Sequence, residues 1–190
     1  MRSRGRFLFS LATILLSTAA LACEQPDAQS ETQRYLYLST PDAAQTEGQA
    51  EGAGILVFDI DDGHKLVRRI DIPVFEEGLR GFAASLATHS AYCSTQNPRI
   101  GAFDLETDQI TWEQNYTLGS DRSSVTMDGK KIYVPTGWWI SGEESGVLVL
   151  NAENGELIKQ VRVGSQAHNS LVSVDGRFLY LGTTRALTVL

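Results

Sequence analysis

Three polar residues occupy the same place in a repeated pattern of the 190-residue chain, and together they could do chemistry. Superposing Tyr92, Tyr133 and Tyr180 brings Arg80, Asp121 and His168 into register, followed by Gly81, Arg122 and Asn169. An arginine, an aspartate and a histidine at one place supply positive charge, a hydrogen-bond acceptor and a group that titrates near neutrality. The same residues can instead serve the fold, with Asp121 and Arg122 capping turns and His168 and Asn169 satisfying backbone groups. A second candidate is the pair Trp138 and Trp139, in the glycine-flanked stretch GWWISGEES. Adjacent tryptophans point to an apolar contact surface, or to two rings packed over a neighbouring part of the fold.

Other chemistry finds no support. No Ser-His-Asp set can be assigned, and His64, His89 and His168 do not have metal-ligand spacing. His64 sits beside an Asp-Gly turn and His89 replaces a turn, so both read as structural. No phosphate-binding glycine loop and no C-x-x-C-H haem attachment motif occurs.

The element that positions the polar set is a hairpin. His168 to Gly182 reads HNSLVSVDGRFLYLG: an alternating run, the turn pair Asp175-Gly176, then a β-rich run. Asp121 to Pro135 (DRSSVTMDGKKIYVP) repeats it with Asp128-Gly129 at the turn, and Arg80 to Ser94 is a fainter copy in which Ala87-Thr88 replaces the turn pair. Each tyrosine strand is followed by two further runs joined at Asp59, Asp104 and Asn151, positions 45 and 47 residues apart. Four strands every 40 to 50 residues or so is the period of a propeller blade, and no long helical pattern intervenes. Stacked blades remove both apolar faces of each sheet from water, which favours a propeller over a β-sandwich.

These segments resemble the YVTN-type repeat of the YncE-like bacterial β-propellers, which run from a polar start through a D-G turn to a Tyr-Val strand. That family is related to the lactonase and quinoprotein amine dehydrogenase propellers. Asp104 to Trp112 (DLETDQITW) also resembles the quinoprotein repeat, in which an aspartate, a T-G turn and a tryptophan lock neighbouring blades; here Asp108 replaces the glycine. The resemblance covers most of residues 34 to 184 and implies an all-β propeller, WD40-like in architecture, from a mostly exported family.

The expected organisation is a signal peptide over 1–22, a flexible linker over 23–33 and a partial β-propeller over 34–190. Its blades fall at 34–72, 79–117, 119–163 and 165–190, about three and a half in all. The expectation is an N-terminal fragment of a seven-bladed propeller, or an open arc that pairs with another copy. Strand parity puts the tight turns on one face. The long loops Thr40 to Ala53 and Gly137 to Ser145, together with Arg80, Asp121 and His168, fall on the other.

Arg2, Arg4 and Arg6, an apolar core from Phe7 to Leu16 and the ending Ala20-Leu21-Ala22 form the secretory signal pattern. Cleavage there leaves Cys23 first, a candidate for lipidation, so a soluble exported protein and a lipoprotein both stand. Localisation is then periplasmic or extracellular, with the membrane reached only through a lipid anchor at Cys23. Cys93, in a strand-like run, reads as a buried thiol; a Cys23–Cys93 disulfide is compatible only with an unlipidated Cys23. Losing the three leader arginines turns the net charge from −7 to −10, which disfavours nucleic acid as a partner.

The leading functional reading is a non-catalytic exported scaffold whose loop face binds a small ligand or a protein partner, with no cofactor. Its rival is a lactonase-like hydrolase at the mouth of the channel, where Asp121 and His168 would help hold a divalent cation or activate water. A third reading, docking to a periplasmic redox protein, follows only from the quinoprotein resemblance.

Overall fold

Runs of alternating β-branched and aromatic residues, each stopped by an Asp, Asn or Gly turn, fold into strands joined by short connections. The computed structural model describes residues 32–40, 54–72, 79–95, 99–138 and 140–190. The expected leader, Cys23, most of the first long loop and Trp139 lie outside the described residues. The chain divides into 1–32 and a unit spanning Gln33–Leu190, and the account below concerns the latter.

Four antiparallel sheets follow one another along the chain. The first holds β1 (Tyr35–Thr40), β2 (Gly54–Asp59) and β3 (Lys65–Asp71). The second holds β4 (Leu79–Ser85), β5 (Ser90–Thr95), β6 (Arg99–Asp104) and β7 (Ile110–Asn115). The third holds β8 (Ser124–Val125), β9 (Lys131–Pro135), β10 (Gly146–Asn151) and β11 (Leu157–Arg162), with a 3-10 turn at Gly142–Glu144. The fourth holds β12 (Ala167–Val172), β13 (Leu179–Thr183) and β14 (Leu187–Val189). Within each sheet the strands pair in sequence order, the meander of a propeller blade.

The turn between the third and fourth strands of a blade explains why Asp59, Asp104 and Asn151 coincide. Each ends its strand and turns its side chain onto the turn that follows. Asp104 Oδ1 accepts the amides of Glu106 at 2.9 Å and Thr107 at 2.8 Å; Asp59 does the same for Asp61 and Asp62, and Asn151 for Glu153. A left-handed residue then closes the turn: Gly155 in the third sheet (φ +75°) and, in the second, Asp108 (φ +58°). Aspartate is among the few side chains that tolerate this region, which is why it can stand where the repeat favours glycine.

The Asp-Gly turns between the first two strands are equally self-contained. Asp128 accepts from the Lys130 amide and the Thr126 hydroxyl, Asp175 from the Arg177 amide and the Ser173 hydroxyl, and Gly129 and Gly176 both adopt φ +69°. In the second sheet the left-handed residue is His89 (φ +50°), one place later than the Ala87-Thr88 substitution suggests. Its Nδ1 bonds the Glu106 carboxylate at 2.7 Å, tying the two turns of that blade together.

The core lies between blades. Ile55, Val57 and Ile70 of the first sheet pack on Leu79, Ala91, Cys93 and Phe103 of the second. Tyr92, Ile100 and Ala102 meet Ile132, Val134, Leu148 and Leu150 of the third, and Val147 meets Ala167, Leu179 and Leu181 of the fourth. Alternation makes this possible, because every second residue of a strand faces the next blade. Cys93 is a free, buried thiol, and burial pushes its pKa up.

Trp112 adds a specific lock between the second and third blades. Its indole N–H donates to the Ala152 carbonyl at 3.0 Å, and its ring lies against Gly155, where a Cβ would come within 2.7 Å of it. Tyr116 donates its hydroxyl to the Gly155 carbonyl, and burial pushes its pKa up to about 12.

Candidate functional site

The first strand of each four-stranded blade runs beside its counterpart in the neighbouring blade, and this is where the polar set sits. Gly81 of β4 lies against the segment leading into β8; a Cβ there would fall 2.8 Å from the Asp121 carbonyl oxygen and 2.8 Å from the Arg122 Cα. Ser94 uses that approach to donate its hydroxyl to the Asp121 carbonyl at 2.9 Å. On the other side Arg122 forms a parallel bridge with Asn169 of β12, and the Ser170 amide donates to the Arg122 carbonyl at 3.2 Å. The Ser170 hydroxyl donates to the Tyr133 carbonyl at 2.9 Å.

The register alignment has a physical basis. In β4 the pairing jumps from Leu79–Thr95 to Gly81–Ser94, and in β12 from Ala167–Thr183 to Asn169–Gly182. Arg80 and His168 are therefore the extra residues of equivalent β-bulges, left out of the ladder and re-aimed. Asp121 donates its amide to the Pro135 carbonyl, and Pro135 corresponds to Ser94 and Gly182.

Three of the candidates meet. The Asp121 carboxylate, 6% exposed, accepts from His168 Nδ1 at 2.6 Å through one oxygen and from the Arg122 amide at 2.9 Å through the other. The Arg122 guanidinium lies 3.7 Å from the same carboxylate and donates to His168 Nε2. These partners assign the imidazole tautomer: the proton sits on Nδ1, facing the carboxylate, and Nε2 is the acceptor. Trp138 joins them, its ring centroid 4.8 Å from that of His168 with the planes inclined by 54°.

The loop after β9 is built to place that tryptophan. Buried Thr136 anchors its base by accepting the Gly146 amide on its hydroxyl at 3.1 Å, and Gly137 donates its amide to the Ala167 carbonyl at 2.8 Å. Gly137 adopts φ +79°, and a Cβ there would sit 3.4 Å from an Asp121 carboxylate oxygen, so a small residue lets the loop cross directly over the carboxylate. The Gln166 side-chain amide donates to the Trp138 carbonyl. Trp138 thus packs on the inner strand of the next blade while staying 40% exposed.

The remaining candidates are placed differently. Arg80 is half-buried at its own bulge in β4, and Asn169 is exposed beside Arg122. Gly81, Ser94, Gly137 and Ser170 were not singled out by chemical type, since each acts through its small size or its hydroxyl. Only the coincidence of Gly81 with Arg122 and Asn169 hinted at a close approach. A cleft of about 540 Å³ opens on the opposite, tight-turn face between the second and third blades, near Tyr92, Thr111, Lys130 and Asn151. Among the described residues, no three His, Cys, Asp or Glu side chains come together as a metal-holding group.

The sequence matches no protein-family model and no curated protein. Solved structures show the fold. The chain is similar to the β-propeller domain of Cps50 (Swd1) from Myceliophteria thermophila, with a TM-score of 0.57 at 10% identity over 81% of this chain and 48% of that one. It is similar to Kuenenia stuttgartiensis hydrazine synthase, with a TM-score of 0.56 at 14% identity over 72% and 38%. It is also similar to the dihydro-heme d1 dehydrogenase NirN, solved in complex with DHE, with a TM-score of 0.56 at 13% identity over 82% and 34%. The chain thus spans less than half the length of these structures and has the blade architecture of a β-propeller.

Proposed function

We propose that the chain is an exported β-propeller scaffold that binds a small ligand on its loop face, at Asp121, Arg122, His168 and Trp138. The observation that carries this reading is the junction itself: a buried carboxylate orients an imidazole across two blades, beside a half-exposed guanidinium and an exposed indole. Oriented polar groups and aromatic side chains are among the elements that line small-molecule sites. The YVTN-like form of 121–135 and 168–182 and the leader pattern over 1–22 support export, with Cys23 as the point of any lipid anchor. In this reading the site needs no cofactor, and the acidic balance argues against nucleic acid.

One observation favours the lactonase-like alternative. A histidine held by a buried aspartate is the orienting half of a general base, with Nε2 as the working atom. That atom faces Arg122 rather than an open position, so the binding reading takes precedence.

The test is a thermal-shift screen of small carboxylates, phosphates, amines, sugars and esters. At least one class should raise the melting temperature of the wild type, with Arg122→Gln losing the shift while its own melting temperature stays within a few degrees. No stabilising compound, or Arg122→Gln melting far lower with the shift retained, would assign these residues to the fold alone; turnover of an ester would establish the hydrolase.

A further inference from the structure

We infer that the ligand of this site is a small anion, bound between Arg122 and His168 together with one proton taken up by the imidazole. The inference rests on the ligand-site reading above and adds the chemistry of the ligand.

The argument is one of donors and acceptors. Asp121 accepts from His168 Nδ1–H and the Arg122 amide, one on each oxygen, and it is buried, so it is not a landing point for a ligand. Arg122 is 46% exposed and directs its Nη1 at His168 Nε2, an acceptor only while the imidazole is neutral. A guanidinium carries five donors in a rigid fork that suits a carboxylate or phosphate better than a single ring nitrogen. Once Nε2 is protonated, Arg122 and His168 confront each other as two donors, and an oxygen anion between them satisfies both. Anion binding and proton uptake therefore favour one another.

The charges around His168 agree. Among the described residues, Asp121 and Arg122, from the segment before β8, bring ionisable groups to the imidazole. The Gly137–Trp138 loop and the facing Gly182 and Thr183 of β13 bring none. A carboxylate, a guanidinium and a neutral imidazole sum to no net charge, and adding a proton and a monoanion together keeps that sum. Asp121, by holding Nδ1–H, fixes the ring so that the incoming proton goes to Nε2; it is a positioning residue. The Trp138 ring beside His168 favours an anion with a flat, apolar body over a bare ion.

The experiment uses the full chain with three probes: benzoate, its neutral isostere benzamide, and inorganic phosphate. Calorimetry at several pH values, in buffers of different ionisation enthalpy, reads both affinity and proton uptake. Benzoate should bind, benzamide should not, and benzoate affinity should rise as pH falls, by up to about tenfold per pH unit for one proton taken up. His168→Gln should keep weakened benzoate binding without the pH dependence or the proton uptake, and Arg122→Gln should lose binding. Arg122→Lys, expected to restore part of it, controls for folding, as do the melting temperatures of all three variants. Equal binding of benzamide, benzoate binding without proton uptake, or an unchanged pH slope in His168→Gln would overturn the inference. If benzoate and phosphate fail while an amine or sugar protects the wild type, the anion chemistry is wrong and the site stands; if nothing binds, both readings fall.

Discussion

The two faces of the blades use polar residues in opposite ways. On the tight-turn face Asp59, Asp104, Asp128, Asn151 and Asp175 each accept backbone amides two or three residues away, and the arrangement repeats from sheet to sheet. On the loop face the polar residue changes type at each repeat, and Asp121 finds its partner 47 residues away on another blade. Repeated, locally satisfied polar residues build the fold. Polar residues that vary between repeats and meet across blades make up the proposed ligand site.

The largest effect should come from the turn face. Trp112→Ala removes a ring packed on Gly155 and a bond to Ala152, and should destabilise by about 3 kcal/mol in urea unfolding. The Asp121–His168 pair, on the far face, should be unaffected at low denaturant, as judged by the His168 imidazole resonances.

Asp121→Ala comes next. It strands the His168 Nδ1–H and the Arg122 amide beside a buried void, and should lower stability by about 2 kcal/mol. Asp104→Ala, whose amide partners can turn to water, should have a smaller effect. Equal losses would erase the contrast between the faces.

Acid should also weaken the turn face. Backbone amides of Thr107 and Glu106 hold the Asp104 carboxyl below the ordinary range, and hydrogen bonds led by Thr126 and by Ser173 do the same for Asp128 and Asp175. A depressed folded value means that the stabilisation is fully present above the ordinary carboxylate pKa and disappears as pH falls through the folded values. Melting temperatures should therefore decline below about pH 4, and a triple Asp→Asn variant at these positions should show a shallower decline.

The smallest perturbation is chemical. Cys93, buried in the first inter-blade core, should resist a thiol reagent in the native state and react only on unfolding, at the rate of blade separation. Rapid native labelling would show that the first two blades part readily.

The fold was legible because its signals are local. The Asp-Gly pairs, the aspartates ending strands and the alternation of Tyr92, Tyr133 and Tyr180 each depend on neighbours a few residues away, and they recur. The place of Arg80, Asp121 and His168 was legible through the same repeat, but not that Asp121, Arg122 and His168 make contact while Arg80 sits at its own bulge. That depends on how closely inner strands approach, which Gly81 and Gly137 decide by having no side chain. The left-handed His89 escaped for a related reason: a histidine in that conformation leaves no compositional mark where glycine would.

The bulges at Arg80 and His168 have a consequence for how such a protein changes over time. A residue outside the ladder does not set strand register, so what constrains it comes from its side chain's partner, which for His168 is the buried Asp121 carboxylate of the neighbouring blade. The second and fourth sheets thereby each carry one position whose constraints differ from those of the ladder. A library randomised at 168 should therefore return folded proteins mainly where the new side chain can still donate a hydrogen bond to Asp121.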